Sequence, residues 1–199
     1  MPILGITGGI ASGKTTFCKL LVQRIPAISF DADACVGELL EGDESVRTQI
    51  QERVHPDAYT AGRPNRALLR KLIYEDADKK RALEQILHPL VRDRWATEAK
   101  HAALAGNLFV VDIPLLFETR AESQFDRIVT VGCSVDVQLA RLRAREGMTH
   151  EISKKIIASQ MPIGVKISKS HHVIWNDGAL DALIAQTELF SHYLHDRNG

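Results

Sequence analysis

Cysteine is scarce in this chain. Cys18, Cys35 and Cys133 are the only three in 199 residues, they lie far apart, and no Cys-x-x-Cys spacing occurs. That excludes a disulfide framework or a zinc knuckle and reads as a reduced chain. An excess of one charge is also missing. The 25 Lys and Arg are matched by 25 Asp and Glu, so the overall basic field of a nucleic-acid binder is absent. No uncharged stretch approaches the ~18 apolar residues that a membrane helix needs. The start, Met1-Pro2-Ile3-Leu4, has no basic n-region, so no signal peptide is expected. Repeats, low-complexity tracts and Ser/Gly linkers are lacking too. The expectation is a cytoplasmic protein of one domain, a monomer or small homo-oligomer, working on neither nucleic acid nor membrane. At 45% hydrophobic residues, a chain of this size can bury about 70% of its unfolded surface without staples.

What is present alternates. Short apolar runs at Ile3–Thr7, Ala27–Phe30, Leu108–Ile113, Arg127–Val131 and His172–Trp175 read as strands. Longer amphipathic stretches such as Thr15–Gln23, Val135–Arg145 and Ala179–Leu194 read as helices. Strand-helix alternation predicts an α/β fold, a parallel sheet covered by helices on both faces. Residues of about 36–105 break the rhythm. They show helical, charged pattern, no convincing strand, and prolines at 56, 64 and 89. This stretch reads as a helical insertion between the second and third strands.

After the first run comes Gly8-Gly9-Ile10-Ala11-Ser12-Gly13-Lys14-Thr15, a full G-x-x-x-x-G-K-[ST] match. Glycines at 8 and 13 permit backbone angles that a β-carbon disfavours. Loop N–H groups then converge on phosphate oxygens, and the following helix aims its positive end there. Lys14 is a mobile charge for the β- and γ-phosphates, and Thr15 offers a hydroxyl to Mg²⁺. The loop predicts a nucleoside triphosphate and Mg²⁺, with Gly9, Ile10, Ala11, Ser12, Gly13, Lys14, Thr15 and Thr16 around the phosphates.

Which phosphate-loop protein this is depends on the rest. No N-K-x-D guanine motif is present. Asp31-Ala32-Asp33 follows the second strand, whose end is expected beside the phosphate loop. One carboxylate there suits a helix cap, the other a base for an acceptor hydroxyl or a metal ligand. Arg141 and Arg145 are four apart and share a helix face. Such a pair suits the charge on a transferring phosphoryl group; a charge run is more often a solvated face, but its place after the fourth strand, where small P-loop kinases carry a mobile lid, favours function. Asp112 ends the strongest strand and fits either a place near Mg²⁺ or a buried, hydrogen-bonded role. His88 precedes Pro89, which pushes it from the α region and suits a helix end.

The ordered set of the phosphate loop, Asp31-Ala32-Asp33, Leu87-His88-Pro89-Leu90 and Asp112-Ile113-Pro114-Leu115-Leu116-Phe117-Glu118 resembles the dephospho-CoA kinase family over nearly the whole chain. The resemblance implies a three-layer P-loop fold with a five-stranded parallel sheet. The core would be 1–35, 106–135 and 170–199, the CoA-side helical insertion about 36–105, and a helical lid about 136–169. It implies transfer of phosphate from ATP to the 3′-hydroxyl of dephospho-CoA, giving CoA and ADP. Asp33 would be the general base, with Lys14 and Arg141 on the transferring phosphoryl. Arg145 and Asn176 would lie on the ATP side. His88 and Leu115, Leu116, Phe117 and Glu118 would lie near the acceptor. The chain departs from the family pattern at His171-His172, Trp175 and Ile163, which bear on how ATP is gripped. The alternatives are another small P-loop kinase, for a nucleoside, nucleotide or small alcohol, or a nucleotide-switch ATPase.

Overall fold

In the first turn-rich stretch the chain alternates as its hydrophobic runs dictate. β1 (Ile3–Gly8) leads into α1 (Lys14–Val22) and β2 (Ala27–Asp31). The helices α2 (Ala32–Gly42) and α3 (Glu44–Arg53) follow, then the short strands β3 (Tyr59–Thr60) and β4 (Arg63–Pro64). Next come α4 (Arg66–Glu75) and the long α5 (Ala77–Leu104). Alternation resumes with β5 (Leu108–Asp112), β6 (Arg127–Gly132), α6 (Val135–Arg143), α7 (His150–Ala158) and α8 (Ile163–Lys169). The chain closes with β7 (His172–Trp175) and α9 (Leu180–Asn198). This computed structural model describes residues 3–145 and 147–198. Met1, Pro2, Glu146 and Gly199 lie outside them. The five strands and three helices expected from the sequence fall within a few residues of their places.

The chain divides into two compact units, residues 1–30 with 99–199, and residues 31–98. The first contains the five-stranded sheet, in the order β2-β5-β1-β6-β7. β1 runs parallel to β5, with Ile6 opposite Asp112, and parallel to β6, with Gly8 opposite Val131. β7 runs parallel to β6, with Trp175 opposite Gly132. Strand alternation sends Leu4 and Ile6 to one face, where they meet Phe17 and Leu21 of α1 and Phe190 and Leu194 of α9. Gly5 and Thr7 face the other side. There Leu116 and Phe125 pack so closely on Gly5 that a β-carbon on it would lie 2.8 Å from each. These are the helix, sheet and helix-plus-loop layers of a doubly covered sheet.

Because the strands are parallel, the ends of β1, β5, β6 and β7 share one edge of the sheet. There open the phosphate loop, Asp112, and the turn after Trp175, the usual ligand edge of such a fold. β5 separates β1 from β2. The end of the second strand is therefore one strand removed from the phosphate loop, not next to it as the sequence suggested.

The second unit is helical, but it corrects two expectations. β3 and β4 form an antiparallel hairpin with Tyr59 opposite Pro64. Its two-residue turn places Ala61 at φ 49° and Gly62 at φ 76°, the positive pair that a tight hairpin demands. Strands of two residues carry no periodicity, so the sequence did not show them. Pro64 is tolerated because so short a ladder leaves its nitrogen unneeded. The other correction is at Pro89, which lies inside α5. The helix passes through His88 instead of ending there. Pro89 removes one backbone donor, while Leu83, Ile86, Leu87, Val91 and Trp95 stay buried on both sides of it. The apolar stripe holds the helix where local preference would stop it. Among the described residues, no helix is long and apolar enough to cross a membrane.

Candidate active site

The phosphate loop is pinned by its carbonyls. Gln138 Nε2 donates to the Ile10 carbonyl at 2.8 Å. Arg141 Nη1 donates to Ala11 at 3.2 Å, and Asn176 Nδ2 to Ser12 at 2.8 Å. The Gly9 and Gly13 carbonyls accept from the backbone N–H groups of Ser12 and Phe17. Lys166 Nζ lies 3.4 Å from the Gly8 carbonyl. Six consecutive carbonyls are thus held by the protein. Peptide C=O and N–H groups point oppositely, so drawing the carbonyls outward turns the amides of the loop toward its concave side. Two amides are exceptions: Ile10 N–H donates to Gln160 Oε1 at 2.9 Å, and Ser12 N–H to the Gly9 carbonyl.

The glycines divide the work differently from the sequence expectation. Gly8 is the last residue of β1 and its φ is not positive. It is required for space, because a β-carbon would strike the Val131 carbonyl and sit 2.9 Å from Ser12 Oγ. Gly13 is required for conformation, with φ 90°, and a β-carbon there would strike Asn176 Nδ2. Strain of about 1–2 kcal/mol plus loss of the Asn176 contact follows from Gly13→Ala. The variant is expected to bind ATP roughly tenfold or more weakly, by titration calorimetry. Unchanged ATP affinity would mean that the loop shape does not set phosphate binding.

Lys14 opens α1, and its ammonium pairs with Asp112 Oδ1. Asp112 is 7% exposed, so this carboxylate needs its cation. The sequence left Asp112 between a metal-side and a buried role. The structure buries it and sets it against Lys14. Thr15 and Thr16 are exposed in the first turn of α1. The hydroxyl of Thr15 and the carboxylate of Asp112 are hard oxygen donors. No cluster of three or more His, Cys, Asp or Glu suited to a metal occurs among the described residues. That donor set fits Mg²⁺ carried mostly by substrate phosphates and not an all-protein metal cage.

Arg141 braces the loop from more than one side. Besides Ala11 it donates through Nη2 to the Asn176 carbonyl at 3.0 Å. Two of its five N–H donors are so used. Arg145 lies just beyond the end of α6 and is exposed. Asn176 is 6% exposed, and its contact here is with the loop itself. In the stretch after β5, Leu116 and Phe117 are buried, whereas Leu115 and Glu118 keep partial exposure. Glu118 accepts from Met161 N–H and Lys166 Nζ, each at 2.9 Å. Gln138, Gln160 and Lys166 were missed in the sequence. On a helix, as for Gln138 and Lys166, or just after one, as for Gln160, such residues look like any solvated face.

The departures near the end have structural work. His171 Nδ1 accepts from Ile128 N–H at 2.9 Å. The His172 ring packs edge-on to Tyr193, with centroids 4.6 Å apart. Trp175 and Ile163 both close on Gly132.

The second unit holds Asp33 and His88. Asp31 caps α2, its carboxylate accepting from Ala34 N–H at 3.0 Å. Asp33, exposed in the first turn of the same helix, is thereby separated in role from the cap. His88 lines a cavity of about 400 Å³ with Arg81, Glu84, Gln85 and Pro89. Burial pushes the His88 imidazole below its ordinary value, with Glu84 opposing and Arg92 assisting. That shift favours the neutral imidazole.

The family model for dephospho-CoA kinase matches residues 2–182. The chain belongs to the dephospho-CoA kinase family. It is similar to the dephospho-CoA kinase of Rhodopseudomonas palustris (strain HaA2), with 38% identity over 94% of this chain and 92% of that protein. A Thermus thermophilus protein of known crystal structure has 30% identity and a TM-score of 0.80, covering 96% of this chain and 97% of that one. The dephospho-CoA kinase of Campylobacter jejuni has 19% identity and a TM-score of 0.63, covering 96% of each chain. At that identity it supports the fold alone.

Proposed function

We propose that Lys14 and Arg141 stabilise the phosphoryl group passing from ATP and that Asp33 takes the proton of the acceptor hydroxyl. Membership of the dephospho-CoA kinase family makes the chain a kinase that uses ATP to convert dephospho-CoA to CoA. The acceptor atom is read as the 3′-hydroxyl of the adenosine ribose. The observation that supports the site assignment is the phosphate loop whose Gly8, Ile10, Ala11 and Ser12 carbonyls are held by side chains from outside it, with Lys14 at its end.

Phosphoryl transfer asks mainly for positioning and charge neutralisation. The loop amides and the start of α1 cradle the β- and γ-phosphates. Lys14 moves its ammonium from Asp112 toward the γ-phosphate. Arg141 keeps the loop in shape through Ala11 and Asn176 and directs its remaining donors at developing negative charge. A secondary hydroxyl is a poor nucleophile, and the Asp33 carboxylate orients it and accepts its proton late. Thr15 and Asp112 are the residues that would hold Mg²⁺, which when bound neutralises charge on the phosphate oxygens. His88 and the 115–118 turn are assigned to the acceptor, and Arg145 and Asn176 to the ATP side. Cys18, Cys35 and Cys133, none of them in a disulfide, fit work in the cytoplasm, by a monomer or small homo-oligomer without a nucleic-acid partner.

The test is ADP release by purified protein with MgATP and dephospho-CoA, adenosine, nucleoside monophosphates or no acceptor, with mass spectrometry for CoA. Release and CoA formation with dephospho-CoA alone is expected. Release with a different acceptor would replace the substrate. Release without any acceptor would leave Asp33 no hydroxyl to serve. In the same assay Arg141→Ala is expected to lower kcat about 10²-fold with the KM for dephospho-CoA within about threefold. An effect confined to that KM would reassign Arg141 to acceptor binding.

A further inference from the structure

Lys166 is fully buried on α8. An ammonium is costly to bury unless its three donors are used. Lys166 has three acceptors: the Pro114 carbonyl at 2.8 Å, Glu118 Oε1 at 2.9 Å and the Gly8 carbonyl at 3.4 Å. They come from different segments. Gly8 begins the phosphate loop, Pro114 follows β5, and Glu118 belongs to the turn assigned to the acceptor. Two neighbours tighten the knot. Thr7 Oγ1 donates to the same Pro114 carbonyl at 3.0 Å, and Met161 N–H donates to the same Glu118 oxygen. Glu118 Oε2 is buried with no hydrogen-bond partner among the described residues. Its carboxylate therefore depends on the ammonium beside it. Burial presses the Lys166 amine below its ordinary value, Glu118 opposes that, and the charge of Lys14 adds to it.

We propose that Lys166 is a positioning residue for phosphoryl transfer: its buried ammonium ties the start of the phosphate loop to the Pro114–Glu118 turn and fixes the distance between them. Lys166 touches no reacting atom and acts through Gly8 and Glu118. An apolar side chain of similar volume would fill the same space without the cost of burying a charge. What it lacks is the demand for one geometry among three acceptors. A misplacement of about 1 Å in a transfer site costs on the order of 10²-fold in rate, so this tether acts on turnover more than on either substrate's affinity.

This inference rests on the kinase reading, and wild-type CoA formation keeps the two apart. A wild type that makes no CoA overturns the kinase reading and this proposal with it. With an active wild type, the variants test Lys166 alone. Lys166→Met keeps length and removes charge. It is expected to lower kcat about 30- to 100-fold with both KM values within about threefold, and to lower the melting temperature because Glu118 is left buried beside no cation. Glu118→Gln and the double variant then separate stability from positioning. The double variant is expected to recover most of the melting temperature, yet to stay at least about tenfold below Glu118→Gln in kcat. Equal kcat for these two variants would overturn the proposal, since Lys166 would then only neutralise Glu118. A Lys166→Met kcat within about threefold of wild type overturns it as well. If Lys166→Met fails to fold, the double variant against Glu118→Gln decides alone.

Discussion

Lys14→Ala is expected to lower kcat by about 10³-fold or more at saturating MgATP, roughly 4 kcal/mol or more of transition-state stabilisation. Two losses combine. A positive charge leaves the side of the transferring phosphoryl, in a site where fixed charges act more strongly than in water. Asp112, nearly buried and paired with Lys14, loses that cation and stays as a carboxylate near the incoming phosphates. Like charges at that distance repel, so ATP affinity falls too, by less than kcat. Lys14→Arg is not expected to rescue. A planar guanidinium does not replace a compact ammonium that must turn from Asp112 to the γ-phosphate. The check is single-turnover transfer with ATP binding measured separately. A Lys14→Ala rate within tenfold of wild type would remove Lys14 from the chemistry and leave it as the partner of Asp112.

The second large effect is at Asp33. Asp33→Asn is expected to lower kcat about 10²- to 10³-fold with the KM for ATP within about threefold. Asn matches the shape of Asp and keeps the first-turn place on α2 but cannot accept a proton. Asp33 is exposed, and the cap of α2 is Asp31, not Asp33. Loss of one acid at a helix start by itself costs about 0.3–1 kcal/mol. The melting temperature, measured alongside, separates a folding defect from the expected fall in turnover. Near-normal turnover would end the general-base role. A fall confined to dephospho-CoA affinity would make Asp33 a binding residue. Asp31→Ala gives the opposite pattern as a control: a helix cap lost, at about 1 kcal/mol of stability.

How much of this was legible in advance follows from the range of the forces involved. Dephospho-CoA kinase membership rests on short ordered motifs, which are local text. So do the strands, whose apolar runs have to be buried, and the phosphate loop, whose glycines and lysine act within a few residues of one another. The Asp31 cap was readable on the same ground. What the sequence by itself determined is thus the alternating α/β class, the nucleotide loop and the kinase family. Only the tertiary structure decided what holds that loop. Gln138, Arg141, Gln160, Lys166 and Asn176 reach it across more than 120 residues of chain. No periodicity records such partners, because a buried Lys166 and a solvated lysine are the same letter on a helix. The strand order that puts β5 between β1 and β2 is likewise absent from the text, since it arises from which apolar faces pair. The helix through Pro89 shows the same limit from the other side. Local preference argued for a break at His88, and burial of the apolar stripe, summed over many contacts, outweighed it.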